Sequence, residues 1–150
     1  MNIIGISSDH GGFDLKTDIV LLLNELGHEV NDMGPENSKS VDYPDYGVSV
    51  AQAVISKNIF RGIVICGTGI GMSIVVNRFS GIRGALCSDL YTAKLCREHN
   101  DSNILIMGGR VVGHGLAKEI VKVWLSTPFE GGRHQKRIDK ITHFEKLKKI

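Results

Sequence analysis

The chain has 150 residues, of which 42% are hydrophobic and 23% charged, with a net charge of +2. That length suits one compact domain over residues 1–150, and so small a net charge gives no ground for nucleic-acid or membrane binding. Aromatics make up 6%, too few for a base-stacking surface, whereas 18 glycines against 3 prolines indicate tight turns and close backbone approaches.

Ile3, Ile4 and Ile6 predict a first strand, followed by Gly11-Gly12. A helix is predicted from about Phe13 to Leu26, with Leu15, Ile19, Leu22, Leu23 and Leu26 on one side and Gly27 closing it. Glu29 to Met33 forms a second short strand. Gly34 to Asp45 reads as a polar loop punctuated by Pro35 and Pro44, and Tyr46 to Ser56 as a helix. Ile63 to Cys66 is a buried-strand run, and a glycine-rich turn leads from it into a helix through Ile74, Val75 and Phe79. Ile82 to Cys87 and Ile104 to Met107 give two more strands, each followed by a helix (Tyr91 to His99, Leu116 to Leu125). Pro128 and Gly131-Gly132 break the chain. A charged helix from Arg133 to Ile150 ends it, with Ile138, Ile141, Phe144 and Leu147 at helical spacing. That stripe either packs on its own domain or docks on a partner subunit. Continuous apolar strands alternating with helices predict an α/β fold with a five-stranded parallel sheet covered on both faces.

The three cysteines, Cys66, Cys87 and Cys96, have no CxxC spacing, so a reducing compartment fits better than a disulfide framework. The N-terminus shows no signal-peptide pattern, and the run Ile19 to Leu23 is too short to span a bilayer. The expected location is the cytoplasm.

In open parallel sheets, ligands bind beyond the carboxyl ends of the strands. The polar residues expected there are Asp9 and His10, the segment CGTGIGMS at 66–73, Ser88 and Asp89, and Arg110 in GGR at 108–110. His99 and Asn100 end the fourth helix, and the sequence allows all these groups to converge. Gly67, Gly69 and Gly71 alternate at a helix start, where successive N–H groups make an anion site. This is neither a Walker loop nor a dinucleotide fingerprint. Cys66 sits at that helix N-terminus, which favours a thiolate able to act as base or nucleophile. Cys87 and Cys96 read as small core residues. The histidines show no metal-binding motif, so no metal is expected. His28, His114, His134 and His143 read as solvated, His134 less clearly so because it adjoins Arg133. Arg133 and Arg137 are four apart and share a helix face, as a phosphate clamp or as part of a solvated basic face with Lys136, Lys140, Lys146, Lys148 and Lys149.

Seven segments occur in order: SSDHGG at 7–12, DYPDYG at 42–47, ICGTGIGMS at 65–73, GIRGALCSD at 81–89, REHNDSN at 97–103, MGGRVVG at 107–113 and EGGRHQKR at 130–137. Together they resemble ribose-5-phosphate isomerase of type B, in the family that also holds galactose-6-phosphate isomerase subunits. The resemblance runs over essentially the whole chain. It implies a doubly wound, Rossmann-like fold, a homodimer or dimer of dimers with active sites at the subunit interface, and neither metal nor organic cofactor. It also implies that ribose 5-phosphate and ribulose 5-phosphate are interconverted through an enediolate. Cys66 would be the base between C1 and C2, with Thr68 beside it, and His99 the acid that opens the ring. Asp9, His10, Tyr43, Gly67, Thr68, Gly69, Ile70, Gly71 and Asn100 would contact the sugar and its intermediate. Arg110, Arg133 and Arg137 would bind substrate or phosphate, some from the neighbouring chain. The chemistry is coherent from below, because an enediolate needs a base near carbon and preorganised donors at oxygen. Three alternatives stand beside this reading. They are a six-carbon sugar phosphate as substrate, a non-catalytic phosphate-ligand or nucleotide module with Asp89 as its ribose acid, and a cysteine hydrolase using Cys66 and His99.

Overall fold

The computed structural model describes residues 2–147. Five strands, β1 (Ile4–Ser8), β2 (Val30–Asp32), β3 (Arg61–Cys66), β4 (Gly84–Leu86) and β5 (Ile104–Gly108), form one parallel sheet in the order β2-β1-β3-β5-β4. Six helices connect and flank them: α1 (Phe13–Glu25), α2 (Tyr43–Ile55), α3 (Ile70–Val76), α4 (Leu90–Glu98), α5 (His114–Ser126) and α6 (Arg133–Leu147). This is the expected doubly wound α/β architecture.

Alternation along the strands sorts the core into two layers. Ile63 and Ile65 of β3 join Leu105 and Met107 of β5 under α1, α4 and α5, where Trp124 is fully buried. Val64 and Cys66 join Ile104 and Ile106 under α2 and α3, against Val50, Ala51, Met72 and Val76. The chain runs outward from β1 to β2, then crosses back to β3. Strand direction of travel therefore reverses between β1 and β3, and such a switch point opens a crevice at the carboxyl edge.

One charged group is built into the first layer's margin. The Lys16 ammonium is buried and donates to both carboxylate oxygens of Asp32 (2.7 and 2.8 Å) and to the Pro35 carbonyl (2.9 Å). It ties α1 to the end of β2.

Several boundaries differ from the sequence expectation. The loop expected to reach Asp45 ends at Asp42, because Pro44 lies in the first turn of α2, where a missing N–H costs no helical hydrogen bond. Tyr43 therefore sits on a helix start. β4 is three residues long instead of the run 82–87, since it is an edge strand paired on one side only. Ile82 packs in the preceding turn. α3 stops at Val76, before Phe79, and Asn77 caps it. In α6 only Ile138 of the apolar stripe is buried; Ile141, Phe144 and Leu147 are at least half exposed. The predicted end of this helix, with Lys148, Lys149 and Ile150, lies outside the described residues.

Candidate active site

Three loops meet at the carboxyl edge around the switch point. The Asp9 N–H donates to the Ile65 carbonyl at 3.1 Å, the Gly109 N–H to the Cys66 carbonyl at 2.8 Å, and the Arg110 N–H to the Gly67 carbonyl at 2.9 Å. The ends of β1, β3 and β5 are thus stitched to one another through backbone. The Asp9 carboxylate is buried and accepts the Gly12 N–H at 3.1 Å, which holds the turn His10–Gly12 over β3. His10 is exposed, and its Nδ1 faces the Val41 N–H at 3.3 Å.

Cys66 closes β3 with its side chain nearly inaccessible. Its Sγ accepts the Gly69 N–H at 3.1 Å, so the loop amide is aimed at the sulfur. Thr68 is exposed, and its Oγ1 accepts the Ile70 N–H at 3.2 Å. Tyr43 lies directly over the loop: a Cβ on Gly71 would come within 2.7 Å of its ring. Arg110 lies beside it, since a Cβ on Gly67 would stand 3.4 Å from its Nη1. Asp9, His10, Tyr43, Cys66 to Gly71 and Arg110 therefore gather in one place, as expected.

His99, Asn100, Arg133 and Arg137 do not join them. α4 links two parallel strands, so it must return the chain to the amino edge of the sheet, and His99 caps its far end. Asn103, three residues past Asn100, bonds the starts of β3 and β4, accepting from Gly62 (3.0 Å) and donating to Arg83 (3.1 Å). The six residues of β3 separate this edge from Cys66 by roughly 17 Å. The expected convergence of His99 and Asn100 with the carboxyl-edge groups does not occur within one chain, whereas for Arg133 and Arg137 the resemblance already allows a neighbouring chain. A Cys66–His99 hydrolase pair within one chain has no geometric basis.

The amino-edge group has its own order. The His134 ring stacks on His99 with centroids 4.2 Å apart and planes 10° from parallel. His134 is only 6% exposed, which corrects its reading as a solvated side chain. Its Nε2 is buried without a hydrogen bond, and the nearest acid is Glu130, with Oε2 at 3.3 Å. The Glu130 N–H donates to the Glu98 carbonyl at 3.1 Å, fastening the 127–132 segment to the end of α4. Burial first, then the charges of His99 and Arg133, hold His134 below the usual imidazole range; Glu130 opposes this and Arg137 adds to it. Arg133 and Arg137 themselves are exposed. His134 and Glu130 stand in EGGRHQKR, four residues apart, but nothing in that spacing shows a stack with a residue on another helix.

Among the described residues, His99, Glu130 and His134 form one group with metal-ligand character, their ligand atoms lying within 4.8 Å of one another. The two rings are parallel, whereas a metal needs converging lone pairs, and the arginine charges oppose a cation. The buried pair Cys87 and Cys96 is inert packing as expected, with sulfurs 3.9 Å apart; the hydrogen bond to Cys96 and burial push the Cys87 thiol up. Asp89 is the N-cap of α4, accepting the Thr92 N–H at 2.8 Å, and its side chain is exposed. A cavity of about 590 Å³ lined by Asp32 to Glu36 and Tyr46 contains no predicted site residue. Ile70 and Ile74, on the helix that follows the glycine loop, are exposed.

The family model described as Ribose/Galactose Isomerase matches residues 4–141. The chain is 51% identical over 145 residues to ribose-5-phosphate isomerase B of Escherichia coli (strain K12), covering 97% of both chains. It is 40% identical over 147 residues to D-erythrulose-4-phosphate isomerase of Pectobacterium atrosepticum, again covering 97% of both. Among solved structures, ribose-5-phosphate isomerase B of Clostridium thermocellum superposes with a TM-score of 0.95 at 54% identity, over 97% of this chain and 98% of that one. Among the described residues no helix is long and apolar enough to cross a membrane.

Proposed function

The chain belongs to the ribose/galactose isomerase family, and on that premise we propose that it interconverts D-ribose 5-phosphate and D-ribulose 5-phosphate as a single-domain cytoplasmic enzyme. The observation that carries the reading is Cys66: a buried sulfur at the switch point, held by the N–H of a glycine loop that Tyr43 and Arg110 border. A base there removes the proton between C1 and C2, and the loop amides Gly67 to Gly71, with Thr68, face the oxygen on which charge develops. No metal or organic cofactor takes part. Asp9, His10, Tyr43 and Asn100 contact the sugar. His99 opens the ring as acid, and Arg110, Arg133 and Arg137 bind the phosphate, whose distance from C1 turns its binding into orientation of the reacting end.

Because the two groups lie at opposite edges of one sheet, the working unit is at least a homodimer. In it, the His99, Arg133 and Arg137 of one copy meet the Cys66 of the other. The exposed apolar Ile70 (56%) and Ile74 (54%) beside the glycine loop support a covering partner. The relative that acts on a four-carbon sugar phosphate favours a second reading, a shorter substrate on the same residues.

Ribose 5-phosphate isomerisation in excess chelator, compared between wild type and Cys66→Ala, tests the proposal, with erythrose 4-phosphate run in parallel. Activity should survive chelation and fall by at least about 100-fold in the variant. No wild-type conversion of ribose 5-phosphate, or full turnover by Cys66→Ala, would overturn it.

A further inference from the structure

His99 is aimed by a neighbour on another helix. The two rings lie face to face at 4.2 Å, and His134 is the buried member, so it is the fixed surface against which His99 rests. The buried ring is itself held from two sides. Its backbone N–H bonds to the Gly131 carbonyl at 3.0 Å, and its otherwise unpartnered Nε2 looks onto the Glu130 carboxylate. Glu130 is in turn tied through its backbone to Glu98, the residue before His99. The contacts close a loop: His99, His134, Glu130, Glu98 and back to His99.

The charges acting on the pair are Glu130 from the segment before α6 and Arg133 and Arg137 from α6. Two imidazolium rings at this separation repel, so only one of the stacked pair can carry a proton easily. Burial, then the charges of His99 and Arg133, disfavour a proton on His134. His99, half-buried, is the more accessible ring of the two.

We propose that His134, anchored by Glu130, is a positioning residue that fixes the plane of the His99 ring for the ring-opening step. This rests on the role proposed above for His99. It separates two events that an isomerase couples. Proton exchange at C1 of ribulose 5-phosphate needs Cys66 but no ring, whereas net conversion of ribose 5-phosphate, which is supplied as a ring, begins with ring opening.

The test measures both by NMR in deuterated water, in paired samples of each variant: net conversion starting from ribose 5-phosphate, and C1 exchange starting from ribulose 5-phosphate. In His134→Ala, net conversion of ribose 5-phosphate should fall at least about tenfold while deuterium wash-in at C1 of ribulose 5-phosphate stays near the wild-type rate. His134→Phe keeps a flat ring in the stack and should recover most of the conversion. Glu130→Gln alters an exposed side chain and should give a smaller loss of the same kind, which keeps the test informative if His134→Ala unfolds. Equal loss of exchange and conversion in these variants would mean a merely structural role and would sink the proposal, as would unchanged conversion in His134→Ala. A wild type that converts nothing would instead refute the parent reading.

Discussion

The N–H of Gly69 donates to the sulfur of Cys66 at 3.1 Å across a turn in which Gly69 adopts φ +79°. A side chain there meets two obstacles. The backbone conformation is one that L-residues avoid, and a Cβ would lie 2.5 Å from Cδ1 of Leu86 and 3.0 Å from the backbone of Met107. Gly69→Ala should therefore cost about 1–3 kcal/mol in urea unfolding, and the displaced amide should lower kcat at least about tenfold. A variant with wild-type kcat would show that the amide is not needed at the sulfur.

The opposite placement of Cys66 and His99 makes complementation the sharpest assembly test. Cys66→Ala and His99→Asn should each be nearly inactive alone. Mixed and re-equilibrated, half the dimers are hybrids, and each hybrid holds one intact site of two. Activity should then recover to about a quarter of wild type. Failure to recover, with hybrids confirmed by native mass spectrometry, would place both residues in sites built from a single chain.

Arg97 is a buried guanidinium beneath the turn that presents His99 and Asn100. It donates to the carbonyls of Ser102 and Thr127 and pairs with Asp101 at 2.9 Å. Arg97→Met leaves those carbonyls without their donor and should destabilise the fold by about 2–4 kcal/mol. Because the same turn carries His99, the proposed ring-opening acid, kcat should fall too. Chemical denaturation and steady-state kinetics on the same preparation check both.

The lowered pKa of His134 predicts a pH dependence of stability. With a folded pKa below the unfolded one, the unfolded chain binds more protons as pH drops through about 6.5, so stability falls with falling pH and levels off below the folded pKa. Thermal melts between pH 8 and 5 should show this slope in wild type, shallower in His134→Phe. Identical slopes in the two proteins would contradict the assignment.

Much of this architecture could be read from local pattern. The stripe Leu15, Ile19, Leu22, Leu23 defines α1, and the run Ile63 to Ile65 defines a strand, because short-range periodicity reports directly on burial. Pro44 misled because the same ring that breaks a helix interior starts one well. β4 came out short because apolar Ile82 and Cys87 extend the pattern past an edge with a single pairing neighbour. The site divided similarly. Asp9, Cys66 and Arg110 follow strand ends and so fall at the carboxyl edge. His99 ends a helix between two parallel strands, so topology alone sends it to the other edge. The burial of His134 was not legible, since it comes from a non-local stack that no spacing encodes.

The Lys16 ammonium, enclosed by Asp32 and the Pro35 carbonyl, turns an ordinary surface-type residue into a hidden nucleophile. Amine-reactive labels that decorate the exposed lysines of α6 reach Lys16 only when α1 lifts away from the end of β2. The extent of its acylation over time is therefore a clock for local opening beside the Asp9 loop, readable by mass spectrometry in the intact enzyme.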